Sequence, residues 1–274
     1  MSVKEALEAR YHTPLTRFGR GSEARTYRGG GLVFKVYAPR ESNAALREYR
    51  NFGRAGLGSW AVEHFLLEGH GIFVLREYPG TPLGPENVND AAIEHLARFF
   101  DHLHRVREPG ETNRDVLEYR LELFTEWLSD IPDALGLIGR LKNRLDELVG
   151  VPLSFCHKDP WAGNILLKNP EVDGGFPPAL VVDWARAAGE DPARDFAIFK
   201  TGSLDQLGEA QAKRCLEHMV NLQRDSQGLW ARLHLWIPLT YLHDLYWFRR
   251  NEPDGFAAAM REKLPRALEF YAGK

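Results

Sequence analysis

The chain has 274 residues, 44% of them hydrophobic with fifteen Phe and seven Trp, and carries a formal net charge of −3 from 35 basic and 38 acidic residues. This composition supports two lobes with real cores and excludes a disordered chain. It offers no basic footprint for nucleic acid or an anionic membrane, and two cysteines, Cys156 and Cys215, are too few for a disulfide framework.

In chain order, the opening MSVKEALEARYH is charged and amphipathic and lacks the apolar stretch of a secretion signal. A reducing cytoplasm is the expected address. Residues 1–77 read as strands around one helix. Phe18-Gly19-Arg20-Gly21-Ser22-Glu23 is a small-residue turn, and LVFKVY over 32–37 is a strand after the Gly29-Gly30-Gly31 turn. Residues 42–52 have helical spacing, with Leu46, Tyr49 and Phe52 on one face. The runs 62–67 and 71–77 flank Glu68-Gly69-His70 as a hairpin.

Residues 78–82, Tyr-Pro-Gly-Thr-Pro, form a connector, and from 83 to 274 the pattern turns helical. Helices are expected over 91–106, 116–128 and 138–148 from their apolar periodicity. Two short strands, 165–167 and 179–182, interrupt them before helices run to the end. The apolar stretch around 229–248 is broken by Arg232, His234, His243 and Asp244, which argues against a membrane span. Its aromatics, Trp230, Trp236, Tyr241, Tyr246 and Trp247, read first as core, because a helix apolar on most sides is usually buried. The fold class is α+β, with a small mostly-β lobe and a large mostly-α lobe.

The chemistry concentrates in FCHKDPWAGNILL, residues 155–167, and LVVDW, residues 180–184. Asn164 opens one strand of the hairpin and Asp183 closes the other, so antiparallel pairing brings an amide and a carboxylate to one end of the ladder. Such hard oxygen ligands suit Mg²⁺. Asp159 can then orient or deprotonate a substrate hydroxyl, while His157 braces the loop. A lone Lys35 among apolar neighbours needs an anionic partner, and Glu48 on the following helix is the best placed, with Glu41 the fallback.

His157-x-Asp159-x-x-x-x-Asn164, followed by an apolar hairpin and Asp183-Trp184, resembles the aminoglycoside phosphotransferase and choline kinase family, whose fold is protein-kinase-like. Glu190-Asp191-Pro192-Ala193-Arg194-Asp195-Phe196-Ala197 is similar to a segment that often follows in that family. The resemblance implies ATP- and Mg²⁺-dependent phosphoryl transfer to a small-molecule hydroxyl, with Asp159 as catalytic base and Asn164 and Asp183 on the metal. It implies a nucleotide site from Lys35, Glu48, the turn at Gly19, Gly21 and Ser22, and a hinge at Arg76, Glu77 and Tyr78. Asp195 is implied as a lobe-stabilising residue.

Substrate contacts are expected from Trp161, Trp184, Glu190, His243, Asp244 and Trp247. Aminoglycosides would call for carboxylates such as Glu126, Asp130, Asp133, Glu190 and Asp244; choline would call for aromatics; sugars, fructosamines and homoserine are equally open. Two alternatives stand beside this reading: a protein kinase, since Lys158 echoes the basic residue of H-R-D, and a nucleotide-binding relative without catalysis.

Overall fold

The computed structural model describes residues 1–18, 24–172 and 174–273. The chain divides into two units. One comprises Met1–Gly80, Lys168–Gly174 and Val182–Ala187; the other comprises Thr81–Leu167, Gly175–Val181 and Ala188–Lys274.

In the first unit, helix α1 (Val3–Tyr11) precedes the strands β1 (Thr16–Arg17), β2 (Ala24–Gly29) and β3 (Leu32–Tyr37). Helix α2 (Asn43–Arg54) and the strands β4 (Ala61–Leu67) and β5 (His70–Arg76) follow, and the antiparallel sheet runs β1-β2-β3-β5-β4. Both tight turns obey hairpin chemistry. Gly29 pairs with Leu32 around Gly30-Gly31, and Leu67 pairs with His70 around Glu68-Gly69, all four turn residues at positive φ. Period-2 alternation sorts β3 into two faces. Phe34 and Val36 join Leu7, Leu15, Ile72 and Val74 in a core under α1, while Lys35 and Tyr37 face α2. The sequence led us to expect a single helix here. Helix α1 was hidden because its start depends on a capping box, in which Ser2 and Glu5 each satisfy the other's amide.

In the second unit, β6 (Gly80–Pro82), β9 (Ile165–Lys168) and β10 (Ala179–Val181) form a sheet in the order β10-β9-β6. A further sheet joins β7 (Arg107–Glu111), β8 (Pro152–Cys156) and β11 (Ala188–Glu190), with β8 central. Sequence reading missed this sheet, because REPGE and AGE carry no apolar alternation. Among the described residues, seven helices complete the unit: α3 (Asp90–Leu103), α4 (Arg114–Trp127), α5 (Pro132–Lys142), α6 (Pro192–Gly202), α7 (Glu209–Asn221), α8 (Ser226–Asn251) and α9 (Pro253–Tyr271).

The helix expected over 138–148 begins earlier and ends earlier. Pro132 at its first turn starts α5, and the chain leaves the helix after Lys142 for a short 3₁₀ turn at Leu145–Glu147. Helix α8 packs against α4, α6 and α9 and buries Trp236, Tyr241 and Tyr246 in the core, as its composition suggests. Among the described residues, no helix is long and apolar enough to cross a membrane.

Candidate active site

In the first unit, Lys35 reaches Glu48 Oε1 and Asp183 Oδ1 at 2.8 Å each. Glu48 is fully buried and also accepts hydrogen bonds from the Tyr37 hydroxyl and from the Trp184 amide, the latter at 3.1 Å. Its carboxylate is therefore satisfied on every side, which a buried charge requires. Burial presses the Lys35 ammonium toward neutrality, but the carboxylates of Glu48 and Asp183 outweigh it and hold the pKa well above the ordinary value. Lys35 is thus a fixed cation at neutral pH. Burial pushes Glu48 upward while Lys35 pulls it back. Glu41, the fallback partner, lies in a 3₁₀ turn before α2 and makes no bond to Lys35.

The 183–187 segment is anchored to α2. Asn51, three residues after Glu48, donates to the carbonyls of Trp184 at 2.8 Å and Ala187 at 3.2 Å. Asp183 adopts a left-handed conformation at φ 69°, and its side chain is 43% exposed. Tyr37 and Asn51 were not singled out from sequence as site residues. Alternation along β3 and the i+3 step on α2 put them on the faces of Lys35 and Glu48, and that signal was available.

In the second unit, β8 delivers the 157–164 loop. Asp195, fully buried in the first turn of α6, accepts the amides of His157 at 2.8 Å and Lys158 at 2.7 Å and lies 3.1 Å from His104 Nε2. Burial would raise its pKa, but His104, His157 and the Lys158 amide bring it below the usual carboxylate value. His157 is buried, and its Nδ1 accepts the Asp159 amide at 3.2 Å. Asn164 Nδ2 donates to the Asp159 carbonyl at 2.9 Å and lies 3.5 Å from its carboxylate. The loop is thus clamped at both ends, leaving Asp159 half-buried between them.

Of the residues expected at a hinge, Arg76 and Glu77 have their amides bound to the carbonyls of Trp60 and Gly31. The Tyr78 ring is buried, and its hydroxyl is pushed up to about 12 by desolvation. Gly19, Gly21 and Ser22 lie outside the described residues.

Several expected substrate contacts need correction. Trp184 is fully buried against Phe52, so its ring is no substrate surface. Glu190 is buried, and its Oε2 accepts Arg194 at 2.7 Å and Arg120 at 3.1 Å. Asp244 is engaged by Lys263 at 2.8 Å. Trp161, 48% exposed, and His243 and Trp247 on α8 remain open to solvent. Each correction has one cause: spacing shows that a residue is polar or aromatic, not what fills the space beside it.

The geometry agrees with known proteins. The family model described as "Phosphotransferase enzyme family" matches residues 14–236, and the chain belongs to that family of phosphoryl-transferring enzymes. Among solved structures, a choline/ethanolamine kinase family protein from Mesorhizobium loti aligns with a TM-score of 0.69 at 19% identity, covering 96% of this chain and 90% of that one. A thermostable aminoglycoside phosphotransferase mutant in complex with ADP and hygromycin B aligns at TM-score 0.68 and 17% identity, covering all of both chains. The choline kinase LicA from Streptococcus pneumoniae aligns at TM-score 0.64 and 16% identity, covering 99% and 98%. At these identities the likeness establishes the protein-kinase-like fold. No curated protein sequence matches the chain.

Proposed function

We propose that the protein transfers the γ-phosphoryl group of ATP, with Mg²⁺, to a hydroxyl of a small molecule. The observation that carries this reading is the buried Lys35 ammonium shared between Glu48 and Asp183. A cation held this rigidly on the central strand of the sheet suits nucleotide phosphates, because its orientation is already fixed before binding. Solved relatives of the fold are complexes with GDP, ADP and AMP, which supports a nucleotide in the same role.

The donor chemistry fits a hard divalent cation. With Nδ2 of Asn164 bound to the Asp159 carbonyl, the oxygen is left as that side chain's acceptor, and Asp183 supplies a half-exposed carboxylate. Strands β9 and β10 pair with Ile165 opposite Val181; Asn164 directly precedes Ile165 in sequence, and Asp183 stands two residues after Val181. When bound, Mg²⁺ would neutralise charge on the phosphates.

Asp159 acts on the acceptor. Its carboxylate aligns the hydroxyl and takes its proton as the oxygen bonds to Pγ and the Pγ–O bond to ADP breaks. His157 and Asp195 hold the loop so that Asp159 need not reorganise. A protein-kinase reading is disfavoured because α6 begins at Pro192, leaving no room after Asp183 for an activation loop. A cytoplasmic address accords with two free, buried cysteines. The test is ADP release from ATP and Mg²⁺ over a panel of hydroxyl acceptors. Asp159→Asn should lower kcat by roughly 10²–10⁴-fold with nucleotide binding retained; undiminished turnover would remove Asp159 from the chemistry.

A further inference from the structure

We propose that the acceptor carries an anionic group, a carboxylate or a phosphate, received by Lys158, Arg120 and Arg194. This rests on the phosphotransferase reading above and names the acceptor class for the same loop.

Two arginines meet one carboxylate, and a third cation stands on the loop that carries Asp159. Arg120 on α4 and Arg194 on α6 both bind Oε2 of Glu190, at 3.1 and 2.7 Å. Their side chains are only 26% and 19% exposed. Lys158 joins them from the catalytic loop. Its amide sits on Asp195 Oδ1 at 2.7 Å, one residue along α6 from Arg194. The Lys158 ammonium makes no ion pair among the described residues. Burial and then the charges of Arg194 and Arg120 push its pKa down, which is the signature of a cation crowded by cations. Glu190 is held ionised against its burial by Arg194, Arg120 and Lys158.

Arg120 and Arg194 share a single carboxylate, and Lys158 adds a partly desolvated ammonium without an ion pair of its own among the described residues, at the residue before the proposed base. Like charges withdrawn from water repel strongly, and a bound anion offsets that cost. The backbone adds a second observation. Lys158 sits at φ 69°, a left-handed conformation that favours glycine, so a lysine at this point carries local strain.

Several groups that the opposite acceptor class would use are already engaged, although Glu126, Asp133, Trp161 and Trp247 stay exposed. Of the carboxylates that a polycationic acceptor would require, Glu190 is occupied by two arginines, Asp244 by Lys263 and Asp130 by Arg249. The aromatics that would hold a quaternary ammonium, Trp236, Tyr241 and Tyr246, are buried in the core, with Trp236 Nε1 bonded to Asp191.

The experiment compares wild type with Lys158→Gln and Lys158→Gly, the latter relieving the strained backbone and so securing a folded variant. ADP release is measured with glycerate and gluconate, with glycerol and glucose as their neutral counterparts, and with ethanolamine and kanamycin, at constant ionic strength. The expected result is at least a tenfold preference in kcat/KM for the anionic member of each pair. Both variants should lose that preference mainly through a KM raised at least tenfold. In parallel, sulfate is titrated calorimetrically into the ADP-saturated protein, with binding expected in wild type and lost in Lys158→Gln. A cation turned over in preference to the anions overturns the proposal, as does sulfate binding that ignores Lys158. So does sulfate that binds through Lys158 yet activates a neutral acceptor without competing, because the cluster is then an effector site. Wild type that binds no ADP fails the underlying phosphotransferase reading, a signal separate from all of these.

Discussion

Replacing Asp195 with asparagine tests whether the 157–164 loop is held by one buried carboxylate. Asp195→Asn keeps the shape but turns one acceptor oxygen into a donor. Oδ1 receives the Lys158 amide, and Oδ2 receives the His157 amide with His104 Nε2 close by. Either orientation of the new amide therefore opposes a donor to a donor and leaves one buried N–H unpaired, costing ~1–3 kcal/mol. The surviving bond falls from charge-assisted to neutral, a further ~1–1.5 kcal/mol. A loss of about 2–4.5 kcal/mol follows, and in a chain of this size that lowers Tm by roughly 4–18 °C. Guanidinium unfolding and calorimetry measure it, and turnover should fall with it as the loop loosens. A variant within about 1 kcal/mol of wild type would show that the loop is held by something other than Asp195.

Other consequences are as direct. Lys35→Met removes the partner of buried Glu48 and should weaken ATP binding more than tenfold, read by calorimetry; unchanged affinity would dissociate Lys35 from the nucleotide. Gly71→Ala places a β-carbon 2.1 Å from the Ser42 carbonyl oxygen, so backbone must move. It should cost more in denaturant unfolding than Gly69→Ala, whose positive φ carries only ~1–2 kcal/mol; the reverse order would contradict the packing of β5 on the residues before α2. The lowered pKa of Glu190 sets a pH dependence. Its contribution is present above the unfolded value near 4.5 and lost as pH falls through the lower folded value. The Tm gap between wild type and Glu190→Gln should therefore hold from pH 7 to about 5 and close below about 4.5; a gap that widened on acidification would refute the ion pairs.

Sequence alone determined whatever is local. Turns at Gly30-Gly31 and Glu68-Gly69 follow from backbone freedom, and the bond from Asn164 to Asp159 closes within one loop, five residues apart. Alternation along LVFKVY was enough to set Lys35 opposite the helix carrying Glu48, thirteen residues on. Only the tertiary structure decided partners distant in the chain. Lys35 meets Asp183 across 148 residues, Asp195 meets His104 across 91, and Glu190 meets Arg120 across 70. Periodicity records which face of an element is buried, but not which group lies against it. That is why Trp184 and Glu190 looked like substrate contacts in the sequence and became, in the folded chain, a core ring and a neutralised carboxylate.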